Sequence, residues 1–133
     1  MDSRIRDLSA YRFEKAEKTL EWAKRLLKEK ECGFASNRAY YSAFYAMRAM
    51  NALDSFDSSK HSGVVAHFNQ YYIRTGIIPE NCSAIVRRAS KLRERSDYED
   101  YYTPDFNSVE KTIVAVENFI EEVKTYLKSE NII

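Results

Sequence analysis

Glycine and proline are scarce in this chain, three and two among 133 residues. Turn-rich β architectures, collagen-like repeats and flexible linkers need more of both, so the shortage excludes them and favours helix. Histidine is equally rare, with only His61 and His67, and the two cysteines, Cys32 and Cys82, lie far from each other and from both histidines. That spacing offers no zinc ligand set and no disulfide framework, so neither metal nor cofactor is expected and both cysteines are read as free thiols. A charge excess of one sign is missing as well. Twenty-one cations against twenty acids leave +1, and any contact with phosphate must come from a local patch. The longest apolar window, "AYYSAFYAM", is far shorter than the roughly 20 residues that cross a bilayer. The first residues, "MDSRIRDLSA", are charged where a signal peptide has its apolar core, so a cytoplasmic protein with no membrane association is expected. A glycine-rich phosphate loop and a nucleophile elbow are also missing, which argues against self-contained hydrolase chemistry of those kinds.

What the chain does have is helical periodicity. From about 9 to 30, Ala16, Leu20, Ala23 and Leu27 recur on one helical face, with Gly33 as the expected stop. From about 35 to 54, three apolar stripes (through Ala39, through Tyr40 and through Tyr41) cover nearly every side, which places this helix centrally. A break at "DSFDSSK", with Ser58 or Ser59 as the expected cap, leads into a shorter helix through Val64, Val65, Phe68 and Tyr72 that Gly76 ends. Pro79 suits the first turn of the next helix, which carries Cys82, Ile85, Ala89 and Leu92. After a loop at Pro104, Asn107 and Glu110 resemble a capping box for a last helix lined by Val109, Ile113, Val116, Ile120, Val123 and Leu127. No segment alternates as a strand does. The expected architecture is an all-α, up-and-down bundle of about five helices forming a single domain, residues 1–133.

Two polar constellations interrupt this pattern. In "RRASKLRER", residues 87 to 95, Arg87, Lys91 and Arg95 share one helical face, and the continuation "SDYEDYY" adds Asp97, Glu99 and Asp100 with Tyr98, Tyr101 and Tyr102. Carboxylates at a helix C-terminus oppose the macrodipole, so pairing with Arg93 and Arg95 is the expected reason for them. In "NRAYYSAFYAMRAM", Arg38, Tyr41, Tyr45 and Arg48 form a polar and aromatic stripe of the kind that serves a subunit interface. His61, near a helix start, is expected to cap or pack.

Taken in order, "NRAYYSAFYAMRAM", "KHSGVVAHF", "RTG" and "RERSDY", followed by the final amphipathic helix, resemble the HEPN family over about residues 8 to 128. The resemblance implies a HEPN-type bundle pairing as a symmetric homodimer. It further implies either a metal-independent ribonuclease toxin, whose site is an arginine followed four to six residues later by a histidine, or a module that works with a minimal nucleotidyltransferase. In some such modules the nucleotidyltransferase attaches nucleotides to a tyrosine. This chain departs from the motif, because Arg93 is followed at the histidine position by Tyr98, and Arg95 by Asp100 or Tyr101. A phenol and a carboxylate match neutral-pH proton transfer less well than imidazole does.

Three functions compete at this level. The first is a module binding nucleotide, RNA or a nucleotidyltransferase partner, with Arg38, Lys91, Arg93 and Arg95 on phosphate and Tyr98, Tyr101 or Tyr102 as nucleotidyl acceptor. The second is an RNA-cleaving toxin with an altered site of Arg93, Arg95, Asp97 and Tyr98. The third is a non-catalytic dimeric scaffold in which the arginine, aspartate and tyrosine cluster only locks helices or dimer halves together; the dimer interface itself is expected at Tyr41, Tyr45 and Arg48.

Overall fold

A computed structural model describes all of residues 1–133 and contains five α-helices and no strand. They are α1 (Ser3–Lys28), α2 (Cys32–Ala52), α3 (His61–Phe68), α4 (Asn81–Tyr98) and α5 (Phe106–Ser129), and a π-helical turn, Asn69–Ile73, prolongs α3. The expected helix count and class are met. α2 is the central helix, packing against α1, α3, α4 and α5. Its alanines at 35, 39, 43, 46 and 49 are fully buried, and their small side chains let four neighbours approach. α5 buries Val109, Ile113, Val116, Ile120, Val123 and Leu127 as the spacing requires. Removing each such side chain from water contributes about 1.5–3 kcal/mol. No helix is long and apolar enough to cross a membrane.

The helix ends depart from expectation in a physically uniform way. The turn that closes α1 is at Lys30, not Gly33: Lys30 adopts a left-handed φ of 61°, its N–H reaches Leu27 O and the Glu31 N–H reaches Leu26 O. This Schellman arrangement recurs at Ser55 after α2 and at Asn131 after α5. Gly33 instead lies in the first turn of α2. Only Gly76, at φ 80°, bends the chain where a glycine was expected to. At the starts, α1 begins at Ser3, earlier than the expected position near 9, and Asp2 caps it by accepting from the Arg4 N–H. Lys60, not Ser58 or Ser59, is the N-cap of α3, although Ser58 Oγ accepts from the Lys60 N–H at 3.2 Å. Asp105, not Asn107, caps α5 by accepting from the N–H groups of Asn107 and Ser108, because a carboxylate placed just ahead of the helix satisfies two orphan donors at once. Pro79 precedes α4, and its carbonyl accepts from the Cys82 N–H. Cys32 and Cys82 are buried free thiols.

Candidate functional site

The two arginines of "RERSDY" part company on α4, since positions two apart on a helix point to nearly opposite sides. Arg95 is exposed; it donates from Nε to Glu99 at 2.9 Å and lies over the Tyr102 ring at 4.0 Å. Arg93 turns inward and is 7% exposed, with its guanidinium carbon 4.7 Å from the Tyr40 ring centre, 5.5 Å from Tyr41 and 5.9 Å from Tyr98. Its nearest carboxylate is Asp97, one turn on, at 3.6 Å, and its Nε is buried without a hydrogen-bond partner. Burial alone lowers the Arg93 pKa, but Tyr41, Tyr40, Asp97 and Tyr98 together raise it, so the cation persists in a largely aromatic cage. An unpartnered buried donor on a charged group is costly to the fold.

The imidazole missing from the α4 segment arrives from a different helix. His61, the first residue of α3, sets Nδ1 3.1 Å from the Tyr40 hydroxyl and packs its ring against Phe44 at 4.3 Å and against Tyr41 at 5.7 Å. Its pKa is lowered, first by burial and then by the charge of Arg93, so it is neutral near pH 7. Tyr40 is held above the ordinary phenol value by burial, with Arg93 pulling the other way, and stays protonated. Beside His61 a groove of about 530 Å³ opens between Phe44, Arg48, Ser58 and Ser59.

A polar relay ties this centre to α2. Asn37 donates from Nδ2 to Asp97 at 2.9 Å, and its Oδ1 accepts from Arg38 Nε and Nη2 at 2.8 and 2.6 Å. Arg38 also lies 5.1 Å from the ring centres of both Tyr41 and Trp22. Of the four residues read as phosphate ligands, Arg38 and Arg93 therefore meet around Tyr41, whereas Arg95 and the exposed Lys91 lie on the solvated side of α4. Tyr98 and Tyr101 are strongly exposed, while Tyr102 is partly covered. The stripe read as a dimer interface is engaged within the chain: Tyr45 lies under Lys15 at 4.5 Å, and Arg48 donates to Asp57, which Arg12 also contacts.

A sequence model described as HEPN domain matches residues 9–126. The chain belongs to the HEPN family. Its similarity to individual HEPN proteins runs along most of the fold. A "UPF0332 protein" of Thermotoga maritima is 30% identical over 86% of each chain. Two proteins of Methanocaldococcus jannaschii bear the names "Putative toxin MJ0142" and "Putative toxin MJ0605". The first is 31% identical over 91% of this chain and 82% of its own, and the second 32% identical over 87% and 86%.

Within this HEPN domain, the helices bring Arg93, Asp97 and Tyr98 together as the spacing indicated, while Arg95 faces away. His61, Tyr40 and Asn37 join them from other helices without having carried a chemical signal in the sequence. The local pattern offered only a histidine at a helix start and a tyrosine on the apolar side of the central helix, both of which read as packing.

Proposed function

We propose that this HEPN domain is the toxin half of a two-component module and cuts RNA without a metal ion, through Arg93 and His61. The observation that carries this reading is that the His61 imidazole and the Arg93 guanidinium pack against the same two rings, Tyr40 and Tyr41, with His61 Nδ1 3.1 Å from the Tyr40 hydroxyl. In the proposed step His61 donates Nδ1–H to the Tyr40 oxygen, which leaves the lone pair on Nε2 to accept the proton of a ribose 2′-hydroxyl. That oxygen attacks the adjacent phosphorus, the bond to the 5′-oxygen breaks, and the leaving oxygen takes the proton held by the His61 imidazolium, so that a 2′,3′-cyclic phosphate and a 5′-hydroxyl result and His61 is again neutral. Arg93, braced by Asp97 and the rings of Tyr40 and Tyr41, offsets the charge that gathers on the phosphoryl oxygens. The family relationship and the toxin names of the relatives support the reading, which includes pairing of two copies so that two such clefts meet. The exposed ring of Tyr98 lies 5.9 Å from the Arg93 guanidinium carbon.

The exposure of Tyr98 and Tyr101 favours a second role at the same cleft, acceptance of a nucleotide from a partner nucleotidyltransferase. A phenol oxygen attacks the α-phosphorus of a nucleoside triphosphate, pyrophosphate leaves and the phenol proton is released. A bulky anion on Tyr98 then blocks access to Arg93. The test of the main reading is expression alone in a bacterial host. Wild type should arrest growth and Arg93→Met or His61→Ala should relieve it; unaffected growth with soluble wild-type protein would remove the toxin assignment. The test of the second is incubation with the neighbouring nucleotidyltransferase and ATP. Tyr98→Phe with Tyr101→Phe should abolish a mass gain seen in wild type, and a gain undiminished in that variant would remove these acceptors.

A further inference from the structure

On its α5 side, α1 borders a groove lined by Glu14, Glu17, Glu21, Glu117 and Glu121 together with Lys18 and Arg25, where Glu17 pairs with Lys124 and both Glu21 and Glu117 pair with Lys24. Along the exposed side of α1, Tyr11, Lys15, Lys18, Trp22 and Arg25 follow one another at helical steps and line a groove of about 380 Å³ whose one acid is Glu14. Glu14 is paired with Lys18 at 3.0 Å, both of them exposed. The row from Tyr11 to Arg25 is about 21 Å long. Its two rings are open to solvent, Tyr11 at 64% and Trp22 at 47%.

Beside this row, Arg38 of α2 lies between Trp22 and Tyr41, and Lys15 lies over Tyr45 of α2, so cations and rings alternate where the two helices meet. The row also leads into the cleft described above, since Tyr41 is shared by Arg38 and Arg93 and the Arg38–Asn37–Asp97 relay joins the two arginines. Four cations against one carboxylate make this a basic patch on a chain whose total charge is only +1.

We propose that this row is the track along which single-stranded RNA reaches the cleft, with bases stacked on Trp22 and Tyr11 and phosphates held by Lys15, Lys18, Arg25 and Arg38. The track rests on the ribonuclease reading above and adds to it where the strand lies and that it is unpaired. Open ring faces take a base only when that base is unstacked from its own helix, and a duplex hides its faces. The competing occupant is a second copy of the chain presenting the glutamates of its α5-side groove to this one.

Trp22 is the only tryptophan, so its fluorescence reports on the track directly. The probe is a 2′-O-methylated oligouridylate of ~12 nucleotides, within the span of known single-strand sites and resistant to cleavage. Binding should quench Trp22, and an equally long duplex should not. Lys15→Ala with Lys18→Ala, both at positions open to solvent, should weaken binding about tenfold and make the slope of log affinity against log salt shallower by about 0.7 for each phosphate no longer neutralised. Arg93→Met should keep the quenching, so that loss of cleavage with quenching retained concerns the catalytic reading and leaves the track standing. Unchanged emission while anisotropy reports the oligonucleotide bound would overturn the proposal. So would a lysine variant, folded by circular dichroism, that binds RNA as wild type does, or one that loses self-association in sedimentation while its RNA affinity is unchanged.

Discussion

Replacing Arg93 by methionine separates a functional from a structural centre. The guanidinium is buried, its Nε has no acceptor and its ion pair with Asp97 is 3.6 Å long. Removing an unsatisfied buried donor returns about 1–3 kcal/mol. Losing the cation–π contacts with Tyr40 and Tyr41 costs about 0.5–2 kcal/mol, and the flexible thioether of methionine fills most of the volume. The balance runs from a loss of about 1 kcal/mol to a gain of about 2.5 kcal/mol. For a domain of 133 residues, 1 kcal/mol moves the melting temperature by about 4 °C, so Arg93→Met should melt between about 4 °C below and about 10 °C above wild type. Removing a group that stabilises transition-state charge, by contrast, lowers the rate of RNA cleavage by about a hundredfold to a thousandfold. Thermal denaturation followed by circular dichroism and a cleavage assay under one buffer measure both. If Arg93 instead held the bundle together, loss of the buried charge pair would cost about 3–5 kcal/mol, a fall of more than about 12 °C. Such a fall, or undiminished cleavage, would show Arg93 to be a structural residue.

Other consequences follow from the same geometry. In Arg93→Met the His61 imidazole should titrate at a higher pH than in wild type, because burial persists but the neighbouring positive charge is gone; proton NMR of the imidazole reads this, and an unmoved titration would dissociate the two residues. His61 resists protonation in the folded state while the unfolded chain protonates near pH ~6.5, so its contribution is intact above that pH and stability falls as pH drops from about 6.5 toward the depressed folded value. Melting curves of wild type and His61→Asn should therefore converge in acid relative to pH ~8, and a constant difference would contradict it. The Tyr72 hydroxyl lies 2.7 Å from Asp54 Oδ2 and 2.9 Å from the Met50 carbonyl in a buried setting, so Tyr72→Phe should cost about 1.5–3 kcal/mol and lower the melting temperature by at least about 6 °C. Gly63→Ala should destabilise despite better helix propensity, since a Cβ there meets Ser58 Oγ at 2.5 Å, and Ser58→Gly in the same chain should restore the melt.

The helices of this HEPN domain were legible because burial imposes a period, and the periods of the 9–30, 35–54 and 107–127 segments could be read directly. Their ends were less so. Three helices close on Lys30, Ser55 and Asn131 in a conformation that glycine usually supplies, and the Asp105 cap lies ahead of the apolar row that signals the helix. The site was half legible. Arg93, Asp97 and Tyr98 lie within two turns of one helix, so their proximity follows from spacing. Arg93 continues the buried row of Cys82, Val86 and Ala89 at steps of four, three and four, so helical spacing turns it inward and Arg95 outward. His61 and Tyr40 reach Arg93 from two other helices, so the neutral imidazole that the local motif lacks is found only where α2, α3 and α4 pack together.

The most direct measurement is analysis of the ends made when the purified chain is incubated with single-stranded RNA. Wild type is expected to leave 2′,3′-cyclic phosphate and 5′-hydroxyl ends, with both Arg93→Met and His61→Ala reducing the rate at least about a hundredfold. Intact RNA with wild type, or cleavage by His61→Ala at the wild-type rate, would contradict a centre built on these two side chains.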